Sequence, residues 1–99
     1  NEAEYLNNIG ILFFTLGSYD KALRYLEKAL SIDIQTSNQY GMAFDFINLG
    51  ETLRRKGLSN DNSDELRSAI NFFQKALETS KRINNINLEI ISLNNLGAT

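Results

Sequence analysis

The sequence predicts an all-α fold, an α-solenoid of antiparallel helix hairpins, and two observations lead to that prediction. The first is composition: the 99 residues include no proline and are rich in Leu, Ala, Glu and Lys, which favour helices. The second is repetition, because Gly10 and Gly50 are separated by 40 residues, as are Gly17 and Gly57. A period of this length is typical of stacked helical repeats.

The first helix is predicted from Ala3 to Leu16. Its apolar residues recur at steps of three and four, which places them on one side of a helix: Leu6, Ile9, Phe13 and Leu16. Gly17 tolerates left-handed geometry, and Ser18 can cap a new helix by accepting a bond from a free N–H group. A tight turn is therefore predicted at these two residues.

The second helix is predicted from Tyr19 to about Thr36, with its apolar face formed by Ala22, Leu26, Ala29 and Leu30. A short turn at Ser37–Gly41 should separate it from the third helix. That helix is predicted to end at Lys56, with Gly57 closing it, and its apolar positions are Met42, Phe46, Leu49 and Leu53.

The second hairpin contains an insertion, because Ala22 to Ala69 and Ala29 to Ala76 are offset by 47 rather than 40 residues. The seven extra residues fall within the polar segment 58–64, which is predicted to be a loop. Asn62 is a candidate N-cap, with Glu65 completing a capping box. The fourth helix should run from about Ser63 to Asn84 and bury Leu66, Ala69, Ile70, Phe73, Ala76 and Leu77, and a fifth should begin near Ile86 and carry Leu93 and Leu96.

Composition also argues against several classes of function. The formal net charge of −2 offers no basic face for nucleic acid, and no apolar run reaches the roughly 20 residues that span a bilayer. With no His, no Cys and no phosphate-binding glycine loop, no catalytic residue, metal site or cofactor is predicted. Asp61, Ser63 and Glu65 alternate like calcium ligands but lack the glycine turn and distal Glu of an EF-hand, so a solvated loop is expected.

We expect a single domain over residues 1–99. It should comprise a first repeat at about 3–36, a second at about 40–84 with its insertion near 58–64, and a partial third at about 86–99. Because the sequence begins without Met and stops within a repeated pattern, we expect an excerpt of a longer protein. A cytoplasmic location is expected, although a cysteine-free chain also tolerates an extracytoplasmic setting.

These repeats resemble the tetratricopeptide repeat, a helix–turn–helix unit of 34 residues. The signature falls on Leu6, Ile9, Gly10, Phe13, Gly17, Tyr19, Ala22, Leu26 and Ala29, then on Phe46, Leu49, Gly50, Leu53, Gly57, Ala69, Phe73 and Ala76, and Leu93, Leu96 and Gly97 open a third copy. Leu6 and Phe46 replace the usual tryptophan, and no proline closes a second helix. The 40-residue period resembles the extended subgroup of kinesin light chains, G-protein-signalling modulators, bacterial peptide-responsive regulators and some histidine-kinase sensor regions.

The resemblance implies that the first helix of each repeat lines a concave groove that binds a peptide or another protein. Its candidate binding residues here are Asn7, Asn8, Ile11, Phe14, Phe44, Ile47, Asn48, Glu51, Arg54, Arg55, Asn94 and Asn95. Asn8, Asn48 and Asn95 take the same place in all three repeats, and their amides could pair with a peptide backbone. The family's clamp for C-terminal carboxylates is not predicted, because Glu4, Phe44 and Ile91 stand at its basic positions.

Each of these assignments has a structural alternative. The asparagines could bond a neighbouring helix, and Ile11, Phe14, Phe44 and Ile47 could belong to the core. The basic run Arg54–Lys56 could meet an acidic peptide, or it could simply favour the helix dipole.

The predicted function is a scaffold or sensor module that binds a protein or peptide. The alternative is a purely architectural segment of a larger signalling protein, such as a sensor kinase or transcription regulator. An enzymatic role would require an attached catalytic domain. Both ends of a repeat stack expose apolar surface, so the segment is also a candidate for homo-oligomerisation.

Overall fold

The computed structural model describes all 99 residues and contains five α-helices. They are α1 (Glu2–Thr15), α2 (Tyr19–Gln35), α3 (Gln39–Asn60), α4 (Ser63–Arg82) and α5 (Ile86–Ala98). Helices account for 87% of the residues and there is no strand, which confirms the predicted all-α class. Connections of only two or three residues make consecutive helices antiparallel.

The helices form hairpins that stack side by side. α1 packs on α2 and α3 packs on α4, while α2 contacts α3 and α4 contacts α5. The first helices of successive hairpins also touch, α1 with α3 and α3 with α5. α3 therefore lies at the centre of the molecule, with a neighbour on most sides.

Glycine and alanine bring the two helices of each hairpin together. A Cβ added at Gly10 would lie 2.7 Å from Leu26 Cγ, and one added at Gly50 would lie 2.5 Å from the Phe73 ring. Leu26 and Phe73 occupy equivalent places in α2 and α4, and both are completely buried. Ala22, Ala29, Ala69 and Ala76 complete these interfaces, also with no exposed surface. The repeated glycines are thus explained by close packing against one large side chain.

A second cluster joins the hairpins to one another. It consists of Ala43, Phe46, Ile47, Ala76 and Leu88, from α3, α4 and α5. Two predicted apolar positions are not covered: Leu16 is 67% exposed and Leu93 is 51% exposed.

The predictions of a loop at 58–64 and of a third helix ending at Lys56 were wrong. Gly57 lies inside α3, which continues to Asn60, and α4 begins at Ser63, so only Asp61 and Asn62 connect the two helices. Measured from equivalent repeat positions, α3 ends five residues later than α1, α4 starts three residues earlier than α2, and the connection is one residue shorter. The seven inserted residues therefore extend both helices of the hairpin.

The turns follow one pattern that the sequence did not reveal. In three connections a non-glycine residue with positive φ precedes an asparagine N-cap: Ser37 before Asn38, Asp61 before Asn62, and Asn84 before Asn85. Each asparagine oxygen accepts bonds from backbone N–H groups of the first turn of the next helix, at 3.0 to 3.2 Å.

The first turn differs from the other three. Gly17 has φ +80° as predicted, but the Ser18 side chain makes no capping bond. The capping box predicted at Asn62 is only half formed, because the Glu65 carboxylate pairs with Lys56 at 2.9 Å. None of the five helices combines the length and the hydropathy required to cross a membrane.

Candidate functional site

An open pocket of about 470 Å³ lies between α1 and α3, against the end of α2. α1 contributes residues at steps of three and four, which place its polar and apolar side chains on one face. The lining residues are Asn1, Ala3, Glu4, Asn7, Asn8, Ile11, Asp33, Asn38, Tyr40, Gly41, Phe44, Asp45 and Asn48. A smaller pocket of about 160 Å³ shares Ile11 and Asn48 with it and is also lined by Phe14, Thr15, Leu26, Glu51 and Thr52.

Most of the predicted groove residues of α1 and α3 are brought together here. Asn7, Asn8, Ile11, Phe44 and Asn48 line the larger pocket, and Phe14 and Glu51 line the smaller one. Asn94 is exposed and Asn95 half-buried on α5, and neither lines either pocket. The three asparagines at equivalent repeat positions therefore do not share one site.

Two of the predicted asparagines are engaged within the fold. Asn48 donates from Nδ2 to Asn7 Oδ1 at 3.0 Å, and Asn7 donates from Nδ2 to Asp45 Oδ1 at 2.5 Å. This chain of side-chain bonds connects α1 with α3. Asn8 makes no such bond and is exposed on the pocket wall. Among the predicted asparagines that line the pocket, Asn8 is thus the one whose amide is free for a ligand.

Ile47 is not a groove residue. It is 5% exposed and belongs to the cluster that joins α3 to α4 and α5. The reason is the central position of α3, which is covered on more sides than an outer helix of the stack. Phe44, one turn earlier, does reach the pocket, where it is 37% exposed and meets Tyr40 edge-on at 5.0 Å between ring centroids.

The three basic residues at the end of the predicted third helix, Arg54–Lys56, make different contacts. Lys56 Nζ pairs with Asp20 at 2.7 Å and with Glu65 at 2.9 Å, linking α3 to the starts of α2 and α4. Hydrogen bonding to Asp20, and then to Glu65, raises the pKa of Lys56. Arg55 lies over the Phe14 ring at 5.7 Å, and Arg54 Nε is buried without an acceptor. None of the three lines the pocket.

Two buried carboxyl groups form the pocket's floor, and neither was among the residues predicted from the sequence. Asp33 of α2 is 4% exposed and Asp45 of α3 is 1% exposed. Asn38 donates to Asp33 Oδ1 at 3.2 Å. A Cβ on Gly41 would lie 2.6 Å from the Asp33 carboxyl carbon, so the absence of a side chain there makes room for the carboxyl group.

The pKa of Asp45 is raised to about 8. Burial is the main cause, because a carboxylate removed from water is disfavoured, and hydrogen bonding with Asp33 adds to it. The bond from Asn7 acts in the opposite direction. Asp45 Oδ2 is buried and receives no hydrogen bond from a nitrogen or hydroxyl. At neutral pH Asp45 is therefore protonated, and its proton can donate to the neighbouring Asp33.

One sequence signal could have identified Asp33. It lies four residues after Ala29 and continues the buried stripe of Ala22, Leu26 and Ala29, so a carboxyl group at that position had to be buried. Asp45 offers no comparable signal, because its burial results from the packing of α1 and α2 against α3.

The family comparison agrees with the first hairpin. The tetratricopeptide repeat model matches residues 3–34, which cover nearly all of α1 and α2 and about a third of the chain. The first hairpin is thus similar to a tetratricopeptide repeat, a repeat type that generally mediates protein–protein interactions. No curated protein matches the chain.

Proposed function

We propose that this protein is a scaffold or sensor module that binds an extended segment of a partner protein along the face formed by α1 and α3. The observation that carries the proposal is the open pocket of about 470 Å³ between these helices. Its volume lies in the range of sites that bind ligands. Its wall combines the unbonded amide of Asn8 with the exposed rings of Tyr40 and Phe44.

These groups suit recognition of a peptide chain. An asparagine amide can donate to a backbone carbonyl and accept from a backbone N–H group. Phe44 and Ile11 provide apolar contact beside it, with 37% and 40% of their surfaces exposed. The general role of tetratricopeptide repeats in protein–protein interaction supports the same assignment.

The test is a selection from a random ten-residue peptide display library against the immobilised protein. Selected peptides should bind at least about fivefold more weakly to Asn8→Ala and Phe44→Ala, because each change removes a contact with the ligand. Asn71→Ala is the matched control, since Asn71 is exposed on α4 and lines neither pocket. Unchanged affinity in both pocket variants would overturn the proposal.

The alternative is a purely architectural role, and the bonds of Asn7 favour it. They hold α1 to α3 and serve the stack without any ligand. If this alternative is correct, the display selection should yield no peptide that binds in the pocket. Asn48→Ala is not a useful binding variant, because it also removes a bond between the two helices.

A further inference from the structure

The charged side chains that line the pocket are all acidic. Three carboxyl groups line it, from Glu4 of α1, Asp33 of α2 and Asp45 of α3, and no Lys or Arg is among its lining residues. The one positively charged group among them is the amino group of Asn1. The remaining polar side chains are five asparagines and the Tyr40 hydroxyl. Lys56 is paired with Asp20 and Glu65 and does not line the pocket.

A second observation points to a missing partner. Asp45 is 1% exposed, lines the pocket, and has one carboxyl oxygen, Oδ2, that no protein nitrogen or hydroxyl reaches. A buried carboxyl oxygen in native proteins is normally satisfied by a donor. Its position at the pocket floor leaves that role to a proton or to a group that enters from the pocket.

The aromatic wall suits the same kind of ligand. Tyr40 and Phe44 are 53% and 37% exposed and meet edge-on, so ring surface is available beside the carboxyl groups. Aromatic faces attract ammonium and guanidinium groups. The alkyl stem of a lysine or arginine would pack against these rings while its charged end reaches the floor.

We propose, on the basis of the binding function above, that the bound segment places a lysine ammonium or arginine guanidinium in this pocket, against the carboxyl groups of Asp33 and Asp45. The cation replaces the proton that Asp45 holds. One proton leaves to solvent as one positive charge enters, so the net charge of the site is unchanged.

This exchange makes binding depend on pH. Because burial and the neighbouring Asp33 keep Asp45 protonated near neutral pH, the proton competes with the cation. Affinity should therefore increase as pH rises from 6 to 8, by at most about tenfold per unit for one released proton. The other ionisable groups among the lining residues are the side chains of Glu4 and Tyr40 and the amino group of Asn1.

The test uses four degenerate ten-residue peptide libraries that differ at one fixed position, which holds lysine, norleucine, arginine or citrulline. Norleucine and citrulline keep the shape of the side chain and remove its charge. We expect the lysine and arginine libraries to bind about tenfold more tightly than their neutral counterparts. Asp45→Asn should reduce that ratio below about threefold and abolish its rise with pH, without weakening the neutral libraries.

Glu4→Gln provides a second variant, because Glu4 is exposed and its replacement leaves the folded core intact. It should lower the same ratio, and it provides the test if the Asp45 variant fails to fold. Equal binding of all four libraries would overturn the cation site while the proposed function stands. Binding of none of them would overturn both.

Discussion

The side-chain amide of Asn7 donates to Oδ1 of Asp45 at 2.5 Å, across 38 residues of sequence. Asn7 Oδ1 accepts from Asn48 at the same time. One half-buried asparagine on α1 thus satisfies two side chains of α3. This relationship fixes the spacing of the helices that form the pocket.

Replacing Asn7 with alanine should destabilise the fold by about 1–3 kcal/mol, because Asp45 Oδ1 and Asn48 Nδ2 both lose their partner in a mostly buried setting. Urea unfolding followed by circular dichroism measures the change. Asn8→Ala is the matched control one residue away, and its exposed side chain makes no bond, so its effect should stay within about 0.5 kcal/mol. Equal effects of the two variants would contradict the role given to Asn7.

Stability should fall as pH rises from about 4 to 8. The pKa of Asp45 is raised from 3.8 to about 8 in the folded state, so over this interval the native protein holds a proton that the unfolded chain has lost. The stabilisation is complete below the unfolded pKa and is lost as pH passes the folded pKa, by an amount on the order of a few kcal/mol.

Asp45→Asn tests this directly. The amide can donate to Asp33 and accept from Asn7 at every pH, so thermal unfolding of the variant should lose most of its dependence on pH between 5 and 8. Asp61→Asn is the control, because Asp61 is exposed in the turn between α3 and α4, and it should keep the wild-type slope. A flat wild-type profile would show that Asp45 ionises normally.

The sequence predicted the fold better than the site, for a physical reason. Periodic apolar residues and the 40-residue glycine spacing are local signals, and they identified all five helices. The loop prediction was wrong because it rested on the polar character of Leu58–Asp64. An exposed extension of two helices needs no apolar residues, so a polar segment can also be helical. Asp45 was missed because its burial depends on α1 and α2 covering it, which no local pattern encodes.

The asparagines at equivalent repeat positions also differ because of their tertiary neighbours. Equivalent positions in a repeat share a backbone direction but not a neighbour. Asn48 bonds to Asn7 of α1, whereas the Asn8 side chain makes no bond and is exposed. Repetition of a residue type therefore predicted its side of the helix and not its role.

Gly50→Ala should destabilise the protein by about 1–3 kcal/mol. The new Cβ would lie 2.5 Å from the Phe73 ring, which is completely buried, so the ring or the helix would have to shift. Gly97→Ala makes the same change on α5, where no atom lies within 4 Å of the new Cβ. That control should be neutral or stabilising by up to about 1 kcal/mol, since alanine favours a helix. Denaturant midpoints separate the two, and similar values would refute the close packing.

Ser37→Gly should stabilise the protein by about 1 kcal/mol, because Ser37 has φ 55° and a left-handed backbone costs an L-residue roughly that amount. Ser59→Gly is the same substitution at an exposed position inside α3 and should have the opposite sign, by about 0.5–1 kcal/mol. Differential scanning calorimetry of both variants gives the comparison. A loss of stability in Ser37→Gly would show that the serine side chain contributes more than its backbone strain costs.

The outer face of α5 should cause self-association of this chain. Ile86, Ile90 and Leu93 follow steps of four and three along one side of the helix and are 69%, 50% and 51% exposed. Burying such a face against a second copy removes apolar surface from water, so sedimentation velocity should show dimers or larger species as concentration rises. Ile90→Glu with Leu93→Lys should restore the monomer, because charged residues would then have to be desolvated in the contact. Leu58→Lys, an equally exposed position on α3 away from this face, should leave association unchanged, and a wild-type protein that stays monomeric at high concentration would contradict the prediction.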